Sequence, residues 1–175
     1  MKTVFIAVRA LVVMAAFLWL WAWVALGLRR YDSLYNLQLP EWTRLLAVPV
    51  MLAGAALAVA CIATFVVIGR GMPAPFDPPR QFVAVGPYRC VRNPMYIGGA
   101  LLLAGFALYL RSAAALIFCL PWLLLAHLFV LAYEEPALRG KFGAPYETYC
   151  RTVPRWMPRF STRREQVNTN SAAPR

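Results

Sequence analysis

LLAVPVMLAGAALAVACIATFVVI, running from Leu45 to Ile68, holds no charged side chain. About 20 predominantly apolar residues suffice for a helix to cross the hydrocarbon core of a bilayer, so this stretch reads as a transmembrane helix. Its small residues, Ala53, Gly54, Ala55, Ala56, Ala58 and Ala60, let helix backbones approach closely in lipid. They signal packing rather than a site.

Three more apolar runs lie around it: Ala10 to Leu28, Pro94 to Leu110 and Ser112 to Tyr133. The chain therefore reads as an all-α polytopic membrane protein with about four transmembrane helices (10–28, 45–68, 94–110 and 112–133) and a cytoplasmic C-terminal helical segment. The third run is short for a span. The first follows Lys2 as a signal peptide would, but it is long and carries Trp19, Trp21 and Trp23. That trio resembles an interfacial aromatic belt, so a retained span is expected. Residues 1–160 are expected to form one membrane-embedded domain, and the polar stretch 161–175 a disordered tail.

Composition agrees. Of 175 residues, 61% are hydrophobic and 14% charged, against about 25% charged in soluble domains. The net charge of +11 would suit nucleic acid, but it is interleaved with apolar runs and points to a membrane surface instead. Cys61, Cys90, Cys119 and Cys150 are scattered without CxxC or His-rich spacing. Neither a disulfide framework nor a metal site is supported, and free thiols in a reducing compartment are expected.

Basic residues set the expected orientation. Lys2, then Arg70, Arg80, Arg89 and Arg92, and then eight Lys/Arg from Arg139 onward fall on one side, against Arg29, Arg30, Arg44 and Arg111 on the other. Cytoplasmic loops collect Lys and Arg, so both termini are expected in the cytoplasm of a multi-pass protein of a bacterial inner membrane. Arg9 can snorkel from the cytoplasmic end of the first run.

Only Arg111 and its neighbours join the third and fourth runs, which must form a tight antiparallel hairpin. The start of one and the end of the other then meet on the cytoplasmic face. Asn93 is a favoured N-cap and Pro94 a favoured first helical residue, and a helix N-terminus also presents N–H groups to an anion. Tyr96, one turn in, reads as a site residue or as an interfacial aromatic. Glu134 and Glu135 oppose the helix dipole at the other end, and ionisable groups at membrane depth are functional candidates. Glu135 can instead bridge to Arg139 at i,i+4. His127 reads as a packed, hydrogen-bonded residue. A positive helix start facing a negative helix end suits a zwitterionic amino-acid group.

Gly86-Pro87-Tyr88, Arg92-Asn93-Pro94-Met95-Tyr96 with Gly98, Glu134-Glu135, Phe142-Gly143, Tyr146, Tyr149 and Val153-Pro154-Arg155 resemble the integral membrane methyltransferases. That superfamily includes isoprenylcysteine carboxyl methyltransferase and phosphatidylethanolamine N-methyltransferase, and the likeness runs from about Gly69 to Pro158. It implies S-adenosylmethionine as methyl donor, bound between the last two spans and the tail. By motif, Tyr88, Asn93, Pro94, Met95, Tyr96 and Glu135 would line the cofactor, Phe82 and Val83 would add backbone contacts, and Gly69 and Gly71 resemble the Gly-x-Gly of the phospholipid branch. Glu134 would be the general base for an amine acceptor. The carboxyl branch usually has His at the Asn93 position and Arg at that of Val130, whereas the Phe-Gly-x-x-Tyr-x-x-Tyr tail resembles that branch. The acceptor, a lipophilic or lipid-linked carboxylate or amine at the cytoplasmic face beside membrane lipids, stays open between the two. So does the oligomeric state. A small four-span transporter or scaffold is the rival reading, but transporters typically carry mid-membrane charges and internal repeats, which this sequence lacks.

Overall fold

A computed structural model describes residues 2–36, 38–69 and 82–158. Helix α1 covers Lys2–Tyr35, α2 covers Thr43–Thr64, α3 covers Pro94–Leu110 and α4 covers Ala113–Phe129; short helices α5 (Glu135–Phe142) and α6 (Ala144–Thr152) follow. Among the described residues, three stretches are long and apolar enough to cross a membrane: Leu11–Tyr35, Thr43–Ile68 and Ala113–Phe142. Pro94–Leu110 is a shorter apolar helix. The protein is an all-α polytopic membrane protein. All four apolar runs are helical, but their ends moved. α1 continues past residue 28 through Arg29 and Arg30 to Tyr35, because hydropathy marks the apolar part of a helix and not its last hydrogen bond. Gly71 and the stretch 161–175 lie outside the described residues.

α2 and α3 form the tightest pair. A Cβ on Gly54 would sit 2.8 Å from the Gly98 carbonyl oxygen and 2.9 Å from the Leu102 nitrogen. One on Gly98 would sit 3.1 Å from the Gly54 oxygen. Backbone meets backbone here, so the crossing depends on glycine at both positions. Gly105, two turns further along α3, would meet the Ala47 oxygen at 3.0 Å.

The α3–α4 hairpin turns on Arg111, whose φ of 55° and ψ of 34° are left-handed. Ser112 Oγ then accepts the Ala115 N–H at 3.0 Å, and Asp32 of α1 accepts that of Ala114 at 2.9 Å. Two orphan donors at the start of α4 are thereby satisfied. Arg111 donates to the Leu39 carbonyl and pairs with Glu41 at 3.0 Å, which fastens the α1–α2 connection to the hairpin. Leu45, Leu52, Val59, Leu120 and Leu124 point outward and are exposed, as lipid-facing residues are.

Two helices loosen at their C-terminal ends. α2 runs into a π-helical turn over Phe65–Gly69, and α4 into one over Val130–Glu134. Pro136 explains the second: it has no N–H for the carbonyl four residues earlier, so the ladder must change register just before it.

Candidate functional site

The chain entering α3 is held by the chain leaving α6. The Arg92 N–H donates to the Pro154 carbonyl at 2.9 Å. The Asn93 backbone and side-chain nitrogens both donate to the Arg155 carbonyl at 3.3 Å. Asn93 therefore sits at the N-cap position without capping: its amide is spent on the tail, and no side chain caps α3. The expected helix start is present, but the expected cap is not. The first-turn N–H groups of α3 are left to water or a ligand.

Glu135 ties these segments to the end of α4. It is 3% exposed. Arg155 reaches it with Nε to Oε1 at 2.7 Å and Nη2 to Oε2 at 3.1 Å. Arg92 Nη1 adds a 3.0 Å bond to Oε1, and Arg139 lies 3.5 Å from Oε2. The i,i+4 bridge read from the sequence is thus real but is the weakest member of a cluster of three arginines. Such charge-assisted, forked bonds are the strong kind. They commit Glu135 to holding the site together. Hydrogen bonding to Glu135 in turn raises Arg155 above its ordinary range.

Glu134, its neighbour, does something else. Tyr96 on the first turn of α3 donates from its hydroxyl to Glu134 Oε2 at 3.0 Å. The π-turn gives the two adjacent glutamates different surroundings: one faces three arginines, the other faces α3. Tyr96 is also in edge contact with Trp156, ring centroids 6.2 Å apart. Trp156 Nε1–H donates to His127 Nδ1 at 3.0 Å. His127 is the packed, hydrogen-bonded residue expected of it, although its partner comes from the tail.

Behind this layer lies an aromatic wall. Tyr88 is buried, packs edge-on against Phe65 at 5.1 Å, and clusters with Cys61, Val83 and Met95. Tyr149 donates its hydroxyl to the Tyr88 carbonyl at 2.7 Å. Burial pushes both phenols up, so both stay protonated at neutral pH. Phe82 packs among Phe142, Tyr146 and Tyr149.

Of the residues singled out from sequence, Asn93, Tyr96, Glu134 and Glu135 are directly linked into one assembly through the tail. Pro94 is fully buried beneath them. Tyr88, Val83 and Met95 form its packed back, Phe82 its flank, and Gly69 closes the turn after α2. Val130, at the Arg position of the carboxyl branch, is buried and opens the π-turn. Sequence reasoning missed Arg92, Arg155, Trp156 and His127 as members. Arg92 and Arg155 stood inside quoted motifs, so that signal was present; Trp156, one residue beyond, carried none. All four cysteines are free.

The assembly fits the donor that the resemblance implies. Arg92 Nε is buried and has no hydrogen-bond partner among the described residues, an orphan that an anionic group would satisfy. It lies beside the uncapped start of α3. At the far end of the Tyr96 hydrogen bond, Glu134 supplies a carboxylate for a cation. Carboxylate and ammonium of an amino-acid group match these two ends, and an aromatic face such as Tyr96 suits a sulfonium.

A bundle of apolar helices with buried charge gathered at one end defines an integral membrane protein carrying a polar site at the membrane boundary. Residues 42–145 match the phospholipid methyltransferase family, and the chain belongs to it. It is also 37% identical over 90 residues to "Methanethiol S-methyltransferase 2" of Bradyrhizobium diazoefficiens, an alignment covering 50% of this chain. The chain matches only 32% of that relative's length. No solved structure matches it.

Proposed function

We propose that the protein transfers a methyl group from S-adenosylmethionine to a small lipophilic or lipid-linked acceptor at the cytoplasmic membrane face. The Tyr96–Glu134 hydrogen bond carries this reading, because it joins the start of α3 to the end of α4 beside an orphaned Arg92 Nε. Family membership supports it independently.

The donor supplies a methyl electrophile on a sulfonium. The residues would hold it: Arg92 and the first turn of α3 toward its carboxylate, Glu134 toward its ammonium, with Tyr96 between. In-line displacement asks chiefly for positioning, which contributes roughly 7–11 kcal/mol in well-oriented reactions. Glu135 and its arginines supply that rigidity. For an acceptor that must lose a proton, Glu134 is the candidate base.

The acceptor atom is a carboxylate oxygen or an amine nitrogen on the motifs. The relative named for methanethiol adds a thiol sulfur. Binding of S-adenosylhomocysteine to purified protein, followed by radiolabelled methyl transfer into membrane extracts, tests the reading. Label released by mild base marks an ester, and stable label marks an amine or thioether. No binding and no transfer would favour a transporter or scaffold.

A further inference from the structure

α4 reads AAALIFCLPWLLLAHLF from Ala113 to Phe129 and is apolar except for His127. An ionisable group among apolar side chains at membrane depth is costly and marks a functional position by default. His127 is the single histidine of the chain, and its Nδ1 accepts the Trp156 indole N–H at 3.0 Å. Nδ1 accepts only in the imidazole tautomer that carries its proton on Nε2, so this bond fixes the imidazole as well as the indole.

The tail does not need this bond to stay in place. Its backbone is already fastened to the start of α3, by the Arg92 N–H on Pro154 and by both Asn93 nitrogens on Arg155. The Arg155 guanidinium forks onto Glu135 besides. What the His127 bond adds is the orientation of one side chain. The Trp156 indole lies between two helices, 5.9 Å from the His127 ring on α4 and 6.2 Å from the Tyr96 ring on the first turn of α3. The contact with Tyr96 is edge-on, at 71°, and edge contacts of this kind set ring planes. The Tyr96 ring so placed carries its hydroxyl to Glu134 Oε2 at 3.0 Å. One line of contacts therefore runs from His127 through Trp156 and Tyr96 to Glu134, and it begins and ends on the same helical stretch, Ala113–Phe142.

We infer that His127 and Trp156 are positioning residues: the hydrogen bond between them orients the indole, the indole holds the Tyr96 ring, and Tyr96 is thereby kept on Glu134 in the geometry that receives the methyl donor. The inference rests on the methyltransferase reading and adds two residues that act through Tyr96. Its signature is coupling. A residue that works through a second one loses its effect once the second is altered.

The test uses the full chain in detergent, with calorimetry of S-adenosylhomocysteine and fluorine NMR of meta-fluorotyrosine placed at Tyr96. His127→Leu removes the acceptor, and Trp156→Phe keeps a ring beside Tyr96 but removes the N–H. Each should weaken S-adenosylhomocysteine binding about fivefold, as loss of one hydrogen bond does, and should shift or split the fluorine signal. His127→Asn, whose amide oxygen takes the place of Nδ1, should recover most of both. In a Tyr96→Phe background, His127→Leu should add less than about a twofold further loss. Trp156→Phe replaces His127→Leu in that pairing if the leucine variant misfolds. A lower melting temperature in both variants, with affinity and fluorine signal as in wild type, would mean a structural latch only and overturn the inference. So would an equal loss with and without the Tyr96 hydroxyl, or no recovery by His127→Asn. If wild-type protein binds no S-adenosylhomocysteine, yet the fluorine signal moves in both variants and returns in His127→Asn, the methyltransferase reading falls while the positioning of Tyr96 stands.

Discussion

Arg155 grips Glu135 with a forked pair of hydrogen bonds, 2.7 Å and 3.1 Å, across 20 positions of sequence. The same carboxylate holds Arg92, 43 positions earlier. Removing it would leave Arg92 and Arg155, both partly buried, without their carboxylate; breaking a fully buried pair costs about 3–5 kcal/mol, and partial exposure lowers the cost here. Glu135→Ala should therefore sharply lower the unfolding temperature in detergent. Arg155→Lys, which keeps the charge but loses the fork, should lower it less. Equal stability of both variants and wild type would show that the cluster does not hold the site.

Tyr96 and Glu134 are the residues that the proposed function sets against the methyl donor. Tyr96→Phe removes one hydrogen bond to a carboxylate, an interaction worth about 1.5–3 kcal/mol. Calorimetry should show S-adenosylhomocysteine binding weakened by about tenfold or more, together with a lower melting temperature, because the lost bond lies within the protein. Glu134→Ala should weaken it further. Unchanged affinity in both would remove this pair from the donor site.

Backbone contact between α2 and α3 leaves no room for a side chain. Gly54→Val would place Cβ within 3 Å of Gly98 and Leu102 backbone atoms, and overpacking commonly costs about 1–3 kcal/mol. Gly27 of α1 is the control: a Cβ there meets nothing within 4 Å, so Gly27→Ala should be neutral or mildly stabilising. Melting both variants beside wild type checks the contrast.

The positions of the helices were legible because lipid leaves a long apolar signature, and Asn93-Pro94 and Glu134-Glu135 stood out at helix ends. Their division of labour was not legible. Glu135 owes its role to Arg92 and Arg155, which local spacing cannot bring together, and the π-turn before Pro136 alters which way each glutamate faces. Asn93 looked like a helix cap because its type and position fit one; the Arg155 carbonyl competes for its amide, and that partner is 62 residues away. His127 was correctly read as hydrogen-bonded, but nothing near it in sequence names Trp156.

The distribution of basic residues sets an expected orientation. Reporter fusions after Ile68 and after Arg175 should read cytoplasmic, and one after Arg111 external. The start of α3 and the end of α4 share one end of the hairpin, so an external C-terminus would place the whole site on the wrong side of the membrane for a cytosolic methyl donor.

Proton handling separates the acceptor classes. A carboxylate acceptor is ionised at neutral pH and needs no base, whereas a thiol, with an ordinary pKa of about 8.5, or an amine must first lose a proton. If Glu134 takes that proton, Glu134→Gln should still bind the donor, more weakly for want of the charge but with the amide oxygen accepting from Tyr96, yet turn over slowly even at saturating donor. Raising the pH increases the free thiolate or free amine in solution, so turnover by the variant should recover in part as pH rises. A carboxylate acceptor gives no such recovery: its charge does not change over that range, and any loss in Glu134→Gln would stem from weaker binding. Initial rates of both proteins with saturating donor across neutral to alkaline pH decide the matter. Parallel profiles for variant and wild type would exclude Glu134 as the base.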